Sequence, residues 1–247
     1  MIDQSYRVRS AELSNPDRKR SYNRNLFSVV APKYDVVTRV LSFGNDGLWK
    51  RRLVGMLPKQ ITGQVVDIAC GTGDIAEAIA RQHPKARVLA TDLNPDMILR
   101  AKRRLAGFGE RVQALEADMT RLPLEQGSVD VLTGGYALRN APDLQDALRE
   151  VARVLKPGAT AAFLDFSRVP NAVGFAWRYR LLRFWGHVWG RILHGDPEVY
   201  AYIARSLKSF PPRDRFHAMA TSEGLRLKRS RLFFFGIMEL SVFVKSS

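Results

Sequence analysis

Asp67, Asp92 and Asp118 are three carboxylates that each sit within or just after a separate apolar run, spaced so that a strand-and-helix chain would bring them to one sheet edge. The first run, Val65-Val66-Asp67-Ile68-Ala69-Cys70, breaks into Gly71-Thr72-Gly73-Asp74 and then a helix-forming stretch from Ile75 to Gln82. Gly71 and Gly73 carry no Cβ, so the chain can turn tightly there and a ligand can lie against bare backbone. The amides at the start of the next helix then face that ligand. Such a unit opens a nucleotide-type cofactor site.

The glycines alone leave the cofactor open. Gly71-Thr72-Gly73-Asp74-Ile75-Ala76 satisfies G-x-G-x-x-G/A, and Asp92 follows about 20 residues on, as a dinucleotide site requires. The acids favour another ligand. Asp67 lies inside a strand, where a carboxylate is costly without a cationic or hydrogen-bonding partner. Asp92 ends a second strand, Arg87 to Thr91, where it can accept both hydroxyls of a ribose. Asp118 ends a third, Val112 to Ala117, where it can accept from an adenine amino group. An ammonium, a ribose diol and an adenine without phosphate are what S-adenosyl-L-methionine offers. Helix capping accounts for acids such as Asp92 and Asp96 but not for Asp67.

The elements that must position these acids alternate. Strand and helix patterns run Val65–Ala69, Ile75–Gln82, Arg87–Thr91, Pro95–Leu105, Val112–Ala117, Val129–Gly134, Leu144–Leu155 and Ala159–Phe166. Pro95 starts its helix behind the cap-like Asn94, and Lys156-Pro157-Gly158 ends another. This order predicts parallel strands with crossover helices. Before it, Arg24 to Leu57 reads as helical, with Phe27, Val30, Tyr34, Val37 and Leu41 at helical spacing. After it, residues 171–209 read as helical and aromatic-rich, interrupted at Gly195-Asp196-Pro197, and Leu225 to Val244 reads as a hairpin turning near Gly236. The expected layout is one domain, 1–247: an N-terminal helical cap (1–60), a cofactor-binding core (61–170), a helical segment facing substrate and membrane (171–223) and a terminal hairpin (224–247).

Composition narrows the class. The 247 residues, 46% of them hydrophobic, can bury a core. The polar start of the chain predicts no signal segment, and no apolar run reaches bilayer length. Cys70 is the single cysteine, which fits a cytoplasmic location, and the four scattered histidines lack ligand spacing, so no metal is expected. The net charge of +15 implies an anionic surface as partner, lipid headgroups or nucleic acid. Basic residues cluster at Arg18–Arg20, Lys50–Arg52, Arg100–Arg104 and Lys228–Arg231, each of which also suits a solvated face.

With the three acids and the hairpin in place, the chain resembles class I S-adenosylmethionine-dependent methyltransferases, and within them the UbiE-type ubiquinone/menaquinone biosynthesis C-methyltransferases. Tyr34-Asp35, Leu41-Ser42-Phe43-Gly44 and Leu48-Trp49-Lys50 resemble that family's N-terminal helices. Asp67 to Asp74 resembles its cofactor loop, with Cys70 where Gly is usual. Ala137-Leu138-Arg139-Asn140 resembles its "GLRN" stretch, and Arg153 to Gly158 and Asp165-Phe166-Ser167 resemble its "RVLKPGG" and "EFS" stretches. The resemblance spans about residues 25–245 and implies an α/β, Rossmann-like, seven-stranded sheet with N-terminal helices and a helical insertion before the terminal β-hairpin. It also implies cofactor contacts at Thr72, Asp92, Asp118-Met119 and Gly135, beside Asp67, Gly71 and Gly73. Gly135 departs from the family's Ser, and Gly134-Gly135-Tyr136 replaces a bulkier sequence, which predicts an enlarged acceptor pocket or an unusual acceptor.

The reaction so implied is methylation of a ring carbon of a polyprenyl quinol, demethylmenaquinol or a methoxy-polyprenyl-benzoquinol. Such a ring carbon becomes nucleophilic when the adjacent phenol loses its proton. Arg139 and Asn140 are the catalytic candidates, Arg139 to stabilise a phenolate and Asn140 to orient a water or the ring oxygen. Equally open is a structural role, with Arg139 paired to Asp143 and Asn140 capping the next helix. Tyr34 and Tyr136 are candidate pocket walls. From Phe175 to Trp189 aromatics interleave with arginines, a pattern suited to a membrane interface or to a helix packed on the sheet with snorkelling arginines. Another lipophilic phenol or a phospholipid amine remains an alternative acceptor. Nucleic acid is not expected, because no [Asp/Asn]-Pro-Pro-[Tyr/Phe] follows the fourth strand and Cys70 belongs to the cofactor loop. A homodimer or a biosynthetic complex stays open.

Overall fold

The computed structural model describes residues 15–168, 172–195 and 198–247. Seven strands form one sheet: β1 (Gln64–Ile68), β2 (Arg87–Asp92), β3 (Val112–Glu116), β4 (Val129–Gly135), β5 (Leu155–Phe166), β6 (Leu225–Phe233) and β7 (Met238–Lys245). Their order is β3-β2-β1-β4-β5-β7-β6, with β7 antiparallel to both neighbours. The chain order reverses between β1 and β4, and a crevice opens there beyond the carboxyl ends of the strands. That is where the Gly71 turn emerges.

Helices cover both faces. On one, α3 (Asp46–Val54), α4 (Asp74–Gln82) and α5 (Pro95–Leu105) bury Trp49, Leu53, Ile75, Ile79 and Ile98 against the strands. On the other, α6 (Leu144–Val154) and α9 (Arg213–Ser222) bury Leu148, Val151 and Phe216 with Phe163 and Phe243. A third cluster builds the cap. Tyr22, Leu26 and Val30 of α1 (Pro16–Val30) and Val37 of α2 (Tyr34–Leu41) pack with Tyr202 of α8 (Glu198–Ser209) and with Trp189 of α7 (Ala172–His194). The N-terminal helices and the late helical insertion therefore share one apolar seam over the strand ends. Among the described residues no helix is long and apolar enough to cross a membrane.

Two local readings are corrected. The stretch read as helical from Arg24 to Leu57 is three helices that begin earlier, at Pro16, with the Asn15 side chain accepting from the Asp17 and Arg18 amides as a cap. Pro32 ends the first by interrupting the ladder, and Ser42–Asn45 separates the second from the third. Lys156-Pro157-Gly158 lies within β5 rather than ending α6, because Leu155 already pairs with Val129 across a register shift. The break expected at Gly195-Asp196-Pro197 falls partly outside the described residues, as does the start of the chain.

Candidate active site

The turn after β1 is shaped by left-handed backbone. Ala69 has φ 47°, and Gly71 and Gly73 have φ 56° and 85°. At Gly71 the space is also closed: a Cβ would stand 3.3 Å from the Tyr34 ring of α2. Only glycine meets both demands. Asp92, at the end of β2, anchors the turn from the side by accepting the Gly71 amide at 2.9 Å and the Asn94 amide at 2.9 Å. Burial pushes its carboxyl up to about 6 against the Asn94, Gly71 and Leu93 amides that favour the charge.

The more polar of two cavities over these strand ends, about 630 Å³ with its open mouth included, is lined by Gly71, Asp92, Leu93, Asp118, Met119 and Gly135 among others. Asp118, two residues beyond β3, accepts the Arg20 Nε of α1 at 2.6 Å and the Thr120 amide at 2.8 Å, which together hold its carboxyl low despite partial burial. Asp67, Thr72 and Gly73 are not on its wall. Asp67 has no exposed surface: its Oδ1 accepts the Thr133 hydroxyl at 2.7 Å, while Oδ2 is buried without a partner. Thr72 points away, donating to Asp35 at 2.7 Å and accepting from Arg104 at 2.8 Å. The strand-to-turn pattern could not tell which side of the turn each residue would take.

A second, apolar cavity of about 810 Å³ including its mouth lies beneath the cap, between α1, α2, α7, α8 and the β6–β7 hairpin. Leu26, Val37, Trp49, Leu182, Phe234 and Met238 are among its walls. Phe27, Tyr34, Tyr136 and Asn140 line both cavities, so these four form the junction between them.

Arg139 and Asn140 lie in a short 3-10 turn after β4, and both line the apolar cavity. Arg139 does not pair with Asp143. Its Nη1 donates to Ser206 Oγ at 2.6 Å, its Nε stands 3.6 Å from Asp165, and its guanidinium lies over the Phe166 ring at 4.9 Å. Asp143 is itself the cap of α6, so Asn140 is not. Asn140 Nδ2 donates to the Tyr136 carbonyl at 2.8 Å, and its Oδ1 is buried with no partner. Asn23 of α1 ties this turn to the cap, donating to the Asn140 carbonyl at 2.6 Å and accepting the Tyr202 hydroxyl at 2.6 Å.

Sequence reasoning missed a buried ionic group below the junction. Lys50 bridges Asp46 at 2.8 Å and Asp74 at 2.6 Å, and Tyr136 donates its hydroxyl to Asp46 at 2.7 Å. Lys50 sits in a basic triplet with Arg51 and Arg52, which suggested a solvated face; it is only 7% exposed. Its signal was the helical offset from Asp46, four residues earlier on the same face. The glycines before Tyr136 do not enlarge the apolar cavity. Gly134 lines neither cavity, and a Cβ on Gly135, which faces the polar one, would stand 2.5 Å from the flexible Ile75 Cδ1.

The comparison with known proteins decides the class. Residues 16–245 match the profile of the ubiE/COQ5 methyltransferase family. The chain belongs to that family. Among relatives, a demethylmenaquinone methyltransferase of Thermus thermophilus is 34% identical over 218 residues, covering 88% of this chain and 98% of the relative. A ubiquinone/menaquinone biosynthesis C-methyltransferase of Syntrophotalea carbinolica is 37% identical, covering 88% and 91%. A mitochondrial 2-methoxy-6-polyprenyl-1,4-benzoquinol methylase of Caenorhabditis elegans is 32% identical, covering 87% and 77%. In fold, the chain resembles a SAM-dependent methyltransferase from Aquifex aeolicus (TM-score 0.56, 17% identity, 79% of this chain and 88% of the other). It likewise resembles geranyl diphosphate C-methyltransferase from Streptomyces coelicolor (TM-score 0.61, 14% identity, 82% and 81%). The seven-stranded methyltransferase architecture expected from the sequence is the one observed.

Proposed function

We propose that this member of the ubiE/COQ5 family transfers a methyl group from S-adenosyl-L-methionine to a ring carbon of a polyprenyl quinol, demethylmenaquinol or a methoxy-polyprenyl-benzoquinol. One observation carries the reading: a polar cavity at the strand ends meets a larger apolar cavity across four shared residues, as a polar methyl donor and a lipophilic acceptor require.

The residues of the polar cavity fit the donor. Asp92 already accepts the Gly71, Asn94 and Leu93 amides and keeps the remaining acceptor capacity of its two oxygens for the ribose. Asp118 and Met119 stand where an adenine amino group and ring face would lie, and Gly71 and Gly135 offer bare backbone. Asp67, Thr72 and Gly73 serve the turn from outside the cavity. When bound, the cofactor supplies an electrophilic methyl on an already good leaving group. The protein chiefly aligns the partners. Arg139 stabilises the phenolate oxygen of the acceptor, and the unpartnered Asn140 Oδ1 orients the acceptor hydroxyl or a water.

The acceptor's chain follows the apolar cavity toward α7. There Leu181, Phe184 and Ile192 are 47%, 66% and 63% exposed, interleaved with exposed Arg180, Arg183 and Arg191. Phe43, 53% exposed, stacks on Trp185 of the same helix at 4.5 Å. Apolar tips among cations suit an anionic membrane surface, from which a polyprenyl quinol would enter. Expression in a bacterium deleted for its own quinone C-methyltransferase tests the function. Methylated quinone should reappear in the lipid extract; persistence of the demethyl quinone alongside folded, cofactor-binding protein would overturn the assignment.

A further inference from the structure

Methylation of a quinol ring carbon releases one proton, and the two groups chosen for the chemistry cannot take it. Arginine stays protonated in proteins and an amide side chain is no base. The junction between the cavities is where that proton is lost, and its remaining members are Phe27, Tyr34 and Tyr136. Phe27 has no polar atom. The Tyr34 ring is packed against Gly71. Tyr136 differs from both, because its hydroxyl donates to the Asp46 carboxylate at 2.7 Å.

The surroundings hold that pair in place. Tyr136 has φ 58°, a left-handed conformation that is strained for a non-glycine residue and recurs at working sites. Its amide donates to the Leu164 carbonyl of β5 at 2.6 Å and its carbonyl accepts from Asn140 in the 3-10 turn that follows, so its backbone is fixed on both sides. Asp46 is 8% exposed and faces Lys50, which also bridges to Asp74. Tyr34, Asp35, Asp67, Cys70 and Asp92 are the further titratable groups around the cluster. Asp46 is thus held between the Tyr136 hydroxyl and the Lys50 ammonium, and Lys50 bridges on to Asp74.

We propose that Tyr136 and Asp46 form the proton acceptor for the methyl transfer, with Tyr136 the catalytic residue in contact with the acceptor phenol and Asp46 acting through it. The inference rests on the function proposed above. The acceptor's phenolic proton passes to Tyr136 Oη as the Tyr136 proton passes to Asp46 Oδ1. The ring carbon then uses the released electron pair to form the new carbon–carbon bond, while the methyl–sulfur bond breaks and sulfur keeps its pair. A water at Asn140 Oδ1 takes the ring C–H proton and carries it to solvent, which restores aromaticity, and the oxygen is reprotonated from Asp46 through Tyr136.

Tyr136→Phe and Asp46→Asn test this in the full chain. Each should lower kcat by about 100-fold or more, the range of a lost general base, with KM for the quinol changed far less. Calorimetry with S-adenosylhomocysteine should give native affinity in both, which shows that the fold and the polar cavity persist. A readout independent of turnover is the absorbance of 2-geranyl-4-nitrophenol bound with S-adenosylhomocysteine. Its ionisation midpoint should rise in Tyr136→Phe, which loses the hydroxyl donor, and fall in Asp46→Asn, which loses the neighbouring carboxylate, each by about one pH unit, a tenfold difference. Native turnover within twofold in both variants, or identical midpoints in all three proteins, would overturn the relay. Failure of the native protein to methylate either quinol would instead remove the function, and the midpoint comparison would still decide whether the pair accepts a phenolic proton.

Discussion

Asp67 shows how burial changes what a carboxylate does. Loss of solvent pushes it up to about 8, against the Thr133 hydroxyl bond that favours the charge. The folded chain therefore retains a proton there that the unfolded chain, near 3.8, has released. Stability from this group is complete below the unfolded value and is lost as the pH rises toward about 8. Asp67→Asn, neutral throughout and able to accept from Thr133, should raise the unfolding temperature by several degrees near pH 8 and by less near pH 5, as followed by circular dichroism. Asp92 works the other way for the ligand. It must be ionised to accept two hydroxyls, so affinity for S-adenosylhomocysteine should fall as the pH drops through about 6, and Asp92→Asn should flatten that dependence in a calorimetric titration. Arg139→Lys keeps the charge beside Asp165 but not the fork that reaches Ser206. Loss of about 1.5–3 kcal/mol of charge-assisted hydrogen bonding, roughly 10- to 100-fold, should appear in kcat with cofactor affinity preserved.

At the scale of elements, the cap explains why the N-terminal helices belong to the active site. Arg20 reaches Asp118, Arg24 reaches Glu116, and Asn94 donates to the Arg24 carbonyl at 2.8 Å, so α1 is tied to the ends of β2 and β3. Asn23 carries the tie onward to Asn140 and Tyr202. Asn23→Ala leaves a buried carbonyl and a buried hydroxyl unmet and should cost about 1–3 kcal/mol in a urea melt, with a loss of turnover from the displaced turn. Elements whose cues are local were legible in the sequence. The Asn94–Pro95 start of α5, the strand ending at Asp92 and the hairpin near Gly236 all stand where capping, alternation and glycine place them. The partners of Arg139, the burial of Lys50 and the Tyr136–Asp46 bond were not legible, because they depend on residues brought together from 24 to 90 positions apart. Spacing showed that Asp67 needed a partner and could not show that the partner is a hydroxyl on β4.

For the whole molecule, the proposed membrane contact combines a charge of +15 with the exposed apolar tip of α7. Attraction to anionic headgroups is screened by salt over a Debye length of about 8–10 Å, whereas insertion of Phe184 and Ile192 is not. Co-sedimentation with phosphatidylglycerol vesicles should weaken as salt is raised, and Phe184→Asp with Ile192→Asp should reduce it at every salt concentration. Such a variant keeps both cavities, so it should still turn over a short-chain quinol in solution while losing activity on a vesicle-embedded one. The topology sets this geometry. Strand order puts one cavity at the β1/β4 crevice, and the shared seam of α1, α2, α7 and α8 roofs the apolar one beside it. The most direct test of the whole scheme is incubation of the purified protein with methyl-labelled S-adenosyl-L-methionine and, separately, demethylmenaquinol and a methoxy-polyprenyl-benzoquinol. Label on a ring carbon of at least one quinol in the organic phase is the predicted result; tight cofactor binding with no label transferred to either would contradict it.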